Sequence, residues 1–484
     1  MLTPISPVDF ILFMFYLCRF NSMDQNKKEI LNIKEEKKKQ KNKDPVTNFT
    51  SLLPEGVRNM KELNRDMFTV SAVFPCIICR PISCGKISSM FRHQLINRSN
   101  FKRIRDDGDS VEKSKIILLR PDITSLDEFT TSQKTILDKE GALFTTHEIE
   151  LTYKDFNLEE ILKKVLPKNT EELVSSFETV GHIAHVNLKE NLLDFKHLIG
   201  TLLLDKNPNI KTVVNKTNSI EETFRFFKME LLAGEDDMYA TVQEHGCVFK
   251  FDYSTVYWNS RLQTEHQRIV EILNPNDVVF DVFAGVGPFA VPAAKKKCVV
   301  YANDLNKFSY KALVHNAELN KVSENVKCFN MDGREFLNQV ICKELCSISH
   351  NVTKHIVMNL PALAPTFLDV FKEKYDNFDI PLTQCNKIFV HCYCFCKSKT
   401  PQEDAEVLVS ESIGLDISTN VKTHLVRRVA PNKVMMCVSF KLFWFEPNAS
   451  KCTCEESVTL VTRKRLIEGG CYSVVAEKSK RLDS

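Results

Sequence analysis

The sequence predicts an α/β protein built around a doubly wound, Rossmann-like sheet, preceded by a smaller α+β domain and by a further N-terminal domain. Three observations predict it. Between Val278 and Asn330, short apolar runs alternate with helix-forming stretches, the pattern of a parallel sheet with crossover helices. A turn carrying Gly285 and Gly287 follows the first run, and the acid Asp304 closes the second. A chain of 484 residues also exceeds one ordinary domain, so two or three are expected.

Residues 1–44 read as a leader followed by a lysine-rich segment. Phe10 to Cys18 (FILFMFYLC) is apolar over nine residues, about half of the 20 needed to span a bilayer, so no membrane span is expected. No basic stretch precedes it, Asp9 abuts it, and Arg19 stands alone. These features fit a translated leader, with Met23 as a second start, better than a targeting signal. Residues 24–44 carry eight lysines and few large apolar side chains, the composition of a solvated tether.

Residues 45–167 form the N-terminal domain, with a strand-like KIILLR (Lys115 to Arg120) and a helix-like DFNLEEILKKVLP that Pro167 closes. Residues 168–262 form the α+β domain. There ETVGHIAHVNL and HLIGTLLLDKNPNIKTVVNKT read as short strands, IEETFRFFKMELLAGE as a helix, and DDMYATVQEHG and CVFKFDYSTVYWNS as paired strands. Basic residues alternate with aromatics here (Arg225, Phe226, Phe227, Lys228, then Tyr253, Tyr257, Trp258), which suits phosphates and splayed bases but equally a half-buried sheet. Residues 263–447 hold the doubly wound sheet, with strands expected at Val278 to Phe283, Val299 to Ala302, Val326 to Asn330 and HIVMNLP. Residues 448–484 are a C-terminal tail.

Lysine plus arginine number 65 against 62 for aspartate plus glutamate. Local patches, not net charge, must therefore meet any polyanion. The 17 cysteines are odd in number and scattered, which reads as free thiols in a reducing compartment. Cys76 and Cys79, with Cys84 nearby, lack a second pair at zinc spacing, so no metal is expected. Cys392, Cys394 and Cys396 share one face of a buried strand and are assigned to packing.

Within the doubly wound block, Gly285 and Gly287 let the backbone turn tightly and approach a ligand, and Asp304 stands where an acid hydrogen-bonds ribose hydroxyls. A nucleoside cofactor follows. The third position of a dinucleotide glycine pattern is Ala290, and Pro288 follows the second glycine. Asp281 would repel a pyrophosphate but could accept a bond from a methionyl amino group, which favours S-adenosylmethionine over NAD. Asp332 and Gly333 end the third strand region and suit the adenine amino group. Asn359-Leu360-Pro361-Ala362 makes a rigid loop whose amide can orient a planar nitrogen heterocycle, with Pro361 beside the substrate base.

DVFAGVGPF, NDLN, MDG and NLP, with WNSRLQTEHQRI upstream and VRRVAPNK downstream, resemble the Rossmann-type tRNA (guanine-N1)-methyltransferases of archaea and eukaryotes, which modify position 37 beside the anticodon. The resemblance covers about Gly181 to Phe445. It implies a class I methyltransferase fold, S-adenosylmethionine as cofactor, tRNA as partner, and a monomer divided among mitochondrial matrix, nucleus and cytoplasm. Guanine N1 is protonated at neutral pH, so its methylation requires a base and a donor for the charge that moves to O6. By the resemblance, Glu265 in RLQTEHQR is the base, Arg225 in TFRFFKMELLAG stabilises O6, and Asn359 completes the catalytic set. His266, Asp304, Leu305, Asp332, Gly333 and Asn359 are cofactor contacts, and Tyr257 contacts the target base. Position 266 is a histidine where the family also has arginine, and Asn338 to Lys354 reads as an inserted loop. Another base methyltransferase of the same fold, acting on adenine or rRNA, and an inactive RNA-binding module are the alternatives.

Overall fold

Val278, Val279, Phe280 and Asp281 are all buried, as expected of a strand covered on both faces. In the computed structural model, which describes residues 48–98, 101–107, 113–168, 177–220, 227–349, 351–371 and 387–442, they form an interior strand of a seven-stranded sheet. Its strands are β1 (Val278–Asp281), β2 (Val299–Asn303), β3 (Val326–Phe329), β4 (Lys354–Met358), β5 (Ile388–Cys396), β6 (Val421–Ala430) and β7 (Lys433–Lys441), in spatial order β3-β2-β1-β4-β5-β7-β6. Strands β1 to β5 pair in parallel, and β7 joins β5 and β6 antiparallel. The chain leaves β1 toward β2 and β3, then returns to β4 on the other side. That reversal opens a crevice at the carboxyl ends of β1 and β4, where α/β sheets bind ligands.

Helices α1 (Gln263–Ile272), α2 (Ala290–Lys295) and α3 (Lys307–Leu319) pack on this sheet through Ile269, Ala290, Val291, Ala293, Leu313 and Ala317. On the other face, Cys392, Cys394 and Cys396 join a core with Ile356, Met358, Ala405 and Val409 from β4 and helix Pro401–Ile413. The stretch Asn338 to Lys354, expected as a loop, is largely helical: Phe336–Ile341 continues into Cys342–Ser347. Phe336, Leu337 and Ile341 recur at helical spacing and are buried, and this apolar stripe holds the segment against the sheet.

Ahead of the catalytic sheet lie two smaller ones. Strands Val70–Cys79, Ile104–Asp106, Lys115–Leu118 and Leu143–Leu151 form an antiparallel sheet; Glu178–Val180, Ile183–Val186, Thr212–Ile220 and Phe227–Gly234 form a mixed one. Two of the expected elements differ here. HLIGTLLLDK is a helix, Lys196–Lys206, because Leu198, Ile199, Leu202 and Leu203 bury one helical stripe. The described part of IEETFRFFKMELLAGE is a strand, because Phe227–Gly234 pairs with Thr212–Ile220, with Val214 opposite Leu231. Cross-strand pairing overrides the local helix preference of Lys, Met, Glu and Leu. The hairpin Tyr239–Glu244 and Cys247–Asp252 falls in the 168–262 block, yet Ala240, Cys247, Phe249 and Phe251 share a core with α1, α2 and β2.

Candidate active site

The loop after β2 shows how local chemistry builds the site. Asn303 is buried; its amide donates to the carbonyls of Val282 (3.2 Å) and Met331 (3.1 Å), and its oxygen accepts from the Met331 N–H (3.0 Å). It thereby clamps the ends of β1 and β3. Asp304 accepts from the Gly285 N–H (2.8 Å) and the Asn306 N–H (2.9 Å), which fixes its carboxyl toward the crevice. Leu305 is exposed beside it, and Asn306 caps α3 by accepting from the Phe308 N–H while donating to the Thr255 carbonyl. Burial raises the Asp304 pKa to about 6, against the two backbone N–H bonds that favour its charge.

The glycine turn divides its labour. Gly285 has φ +56°, and a β-carbon there would project into open space, so the backbone borders the crevice directly. Gly287 has φ +99°, and a β-carbon would stand 2.8 Å from Leu313 and 2.9 Å from Val291. It permits close packing of the turn on α2 and α3, a different role from the ligand approach expected of it.

A cavity of about 740 Å³ occupies the crevice. Of the residues singled out in the sequence, Gly285, Asp304, Leu305, Asp332, Gly333, Asn359, Pro361 and Tyr257 line it. Asp332 caps a short helix by accepting from the Arg334 N–H at 2.8 Å, and Gly333 is wedged against Phe283 and Phe367. The Asn359 side-chain oxygen is buried with no hydrogen-bond partner. Tyr257 is 48 % exposed, and its hydroxyl accepts from the Asn259 amide at 3.2 Å.

Other residues do not line it. Asp281 is fully buried, closed off at the end of β1, and neither carboxyl oxygen accepts a well-formed hydrogen bond. Burial, then the charge of Asp304, pushes its pKa up to about 8, against a weaker pull from the Phe283 backbone N–H. His266 is buried against the hairpin, with Nδ1 2.6 Å from Glu244 and its ring edge-on to Phe289. Glu265 is 4 % exposed and held by a bidentate pair with Arg268 (2.7 and 2.6 Å) and by the Tyr393 hydroxyl (2.7 Å). It lies one turn of α1, about 5 Å, beyond Leu262, which does line the cavity. Arg225 lies outside the described residues.

The cavity also has residues to which the sequence analysis gives no role. Arg427 on β6 donates to Asn259 at 3.2 Å, bracing the Tyr257 contact, across 168 residues of chain. At the far side stand Glu178, His185, Asn187 and Lys216. Burial, then the nearby Lys216 and Arg261 charges, lowers the His185 pKa to about 3, so this imidazole is neutral. No contiguous motif could have shown this grouping, because the residues come from two sheets and a loop far apart in the chain.

Comparison with known proteins bears on this geometry. Residues 240–380 match the TRM5/TYW2 methyltransferase domain, and residues 158–237 match the TYW2 N-terminal domain. The chain is 45 % identical over 398 residues to a tRNA (guanine(37)-N(1))-methyltransferase of Xenopus tropicalis, covering 80 % of this chain and 79 % of that one. It is 42 % identical over 400 residues to the protein of the same description from Homo sapiens, covering 80 % and 77 %. The chain belongs to this family. Among solved structures, Trm5b from Pyrococcus abyssi superposes with a TM-score of 0.53 at 24 % identity, over 76 % of this chain and 99 % of that one, a likeness of fold.

The family implies S-adenosylmethionine, and the residues present fit it. Gly285 leaves open space beside its backbone, Asp304 presents a braced carboxyl, and Asn359 holds an unpartnered buried oxygen at the same cavity.

Proposed function

We propose that this protein transfers a methyl group from S-adenosylmethionine to N1 of guanosine 37 of tRNA, leaving 1-methylguanosine beside the anticodon. The observation that carries the reading, in a chain of this family, is one cavity joining the carboxyl ends of the parallel strands to Tyr257, Lys216 and Arg427. That cavity offers a nucleoside site at one end and aromatic and basic groups for RNA at the other. The cofactor, when bound, supplies an electrophilic methyl group on a sulfonium. Asp304 holds ribose hydroxyls, Asp332 and Gly333 border the adenine, and Asn359 orients a heterocycle through its free oxygen. Tyr257 stacks on the target base, with its hydroxyl steadied by Asn259 and Arg427.

Loss of the N1 proton requires a base, and Glu265 is the carboxylate proposed for it, with Arg225 as the O6 donor. Catalytic hydrogen bonds commonly close only in the substrate complex, so the distance of Glu265 from the cavity does not disqualify it. The test is single-turnover methylation of a tRNA transcript carrying guanosine or adenosine at position 37, with the methyl group located by mass spectrometry of nucleosides. Methyl transfer to any other position, or to the adenosine transcript at an equal rate, defeats the reading.

A further inference from the structure

Glu265, once it has taken a proton, must pass it on before the next turnover, and its surroundings restrict how. Strands β5, β7 and β6 place Tyr393, Cys437 and His424 in register, one row across the sheet. The next row on the same face is Phe395, Met435 and Arg427, all of which line the cavity. An extra residue at Val426, between the registers of Leu425 and Arg427, keeps Arg427 on the cavity face. The Glu265 row therefore lies two residues along the strands from the cavity, about 7 Å.

Of the groups facing Glu265 in that row and on α1, three cannot carry a proton away near neutral pH. Arg268 is opposed by burial, yet the Glu265 carboxylate holds it charged, and a guanidinium does not deprotonate. Tyr393 is fully buried, and burial drives its hydroxyl well above the ordinary range. Burial, then the Glu265 charge, pushes the Cys437 thiol up to about 12. His424 differs. Its Nε2 lies 3.6 Å from Glu265 Oε2, and its side chain is 48 % exposed at the edge of the sheet. A shift of under about 1 Å brings the pair to hydrogen-bond distance.

We infer that His424 relays the guanine N1 proton from Glu265 to solvent. The inference rests on Glu265 being the base. As the N1–H bond breaks and N1 takes the methyl group, the proton goes to Glu265. It then moves from Glu265 Oε2 to the lone pair of His424 Nε2, and His424 Nδ1 releases a proton to water. An imidazole suits this because one ring nitrogen can accept a proton while the other gives one up. His424 acts through Glu265, as a relay outside the set that touches substrate.

The experiment is multiple-turnover methylation of a guanosine-37 tRNA transcript by the full chain between pH 5.5 and 8.5, with the single-turnover rate measured beside it, for wild type, H424Q, H424A and E265Q. Wild type should accelerate as pH rises. H424Q should be about 100-fold slower at pH 8, the lower end of what a positioned proton-transfer group contributes, and should show an altered pH profile. Imidazole added to H424A should restore several-fold of the rate. Calorimetric S-adenosylmethionine binding reports folding, and H424N takes the place of H424Q if the latter misfolds. An H424Q rate and pH profile equal to wild type, beside a slow E265Q, overturns the relay alone. E265Q at the wild-type rate overturns the base assignment and the relay with it.

Discussion

Replacing Asp281 with asparagine should stabilise the cofactor-free protein, increasingly so as pH rises. The carboxyl is fully buried, its oxygens accept no well-formed hydrogen bond, and burial with the Asp304 charge raises its pKa from 3.8 to about 8 against a weaker pull from the Phe283 backbone N–H. A folded-state pKa above the unfolded one means that the native protein keeps a proton the unfolded chain releases. Stability is then greatest below about pH 4 and is lost as pH climbs toward 8. At 1.36 kcal/mol per pH unit, that window sets a cost on the order of 5 kcal/mol, an upper estimate. Asparagine has the same shape and no charge, and its unpaired amide costs about what the unpaired protonated acid does. A gain of about 3 to 5 kcal/mol at pH 8 corresponds to a Tm rise on the order of 10 °C for a domain of about 200 residues. At pH 5 the difference should shrink to a few degrees. Thermal melts of wild type and D281N without cofactor, at pH 5, 6.5 and 8, measure it. A Tm difference that is constant across pH, or absent, refutes the claim that an uncompensated carboxyl lies under the turn.

The two turn glycines should fail differently. G287A meets Leu313 and Val291 below 3.0 Å and should cost about 1 to 3 kcal/mol of stability through overpacking, read as a lower Tm, whereas G285A should weaken cofactor binding in calorimetry because its methyl enters open space at the cavity. Cofactor affinity should rise from pH 5 to 7 as Asp304, held up to about 6 by burial, becomes the carboxylate that accepts ribose hydroxyls; D304N should bind more weakly and show a flat pH dependence. E265Q should slow methyl transfer about 100- to 10,000-fold, and because it strips Arg268 of its counter-charge it should also lower Tm, so rate and melting need measuring together. tRNA affinity should fall steeply with salt, with a log-log slope set by the number of phosphates neutralised; a flat response would point away from RNA.

The parallel sheet is legible in the sequence because its signals are contiguous. Each of β1, β2 and β4 is a short buried run, and the glycine turn and the NDLN segment carry their chemistry within a few residues. Gly285, Asp304, Asp332, Gly333 and Asn359 are thus identifiable from the chain's own residues, Leu305 comes from the family resemblance, and all meet at one cavity. Glu265 and Arg225 rest on the family resemblance, since a glutamate near a helix start carries no chemical signal of its own.

Short windows of the chain suffice to specify the alternation of strand and helix from β1 to β4, the nucleoside-type turn and the order of the blocks, because each depends on periodicity and loop chemistry between near neighbours. Features that depend on distant partners come only with the folded arrangement. Phe227–Gly234 is a strand because Thr212–Ile220 pairs with it, and Gly287 serves packing because α2 and α3 close around it. Asp281 is neutralised because the sheet encloses it beside Asp304. Glu265 meets Tyr393 across 128 residues, and Asn259 meets Arg427 across 168. Such contacts are set by which faces pack together and by the dielectric they enclose, and neither is encoded in the residues on either side of each partner.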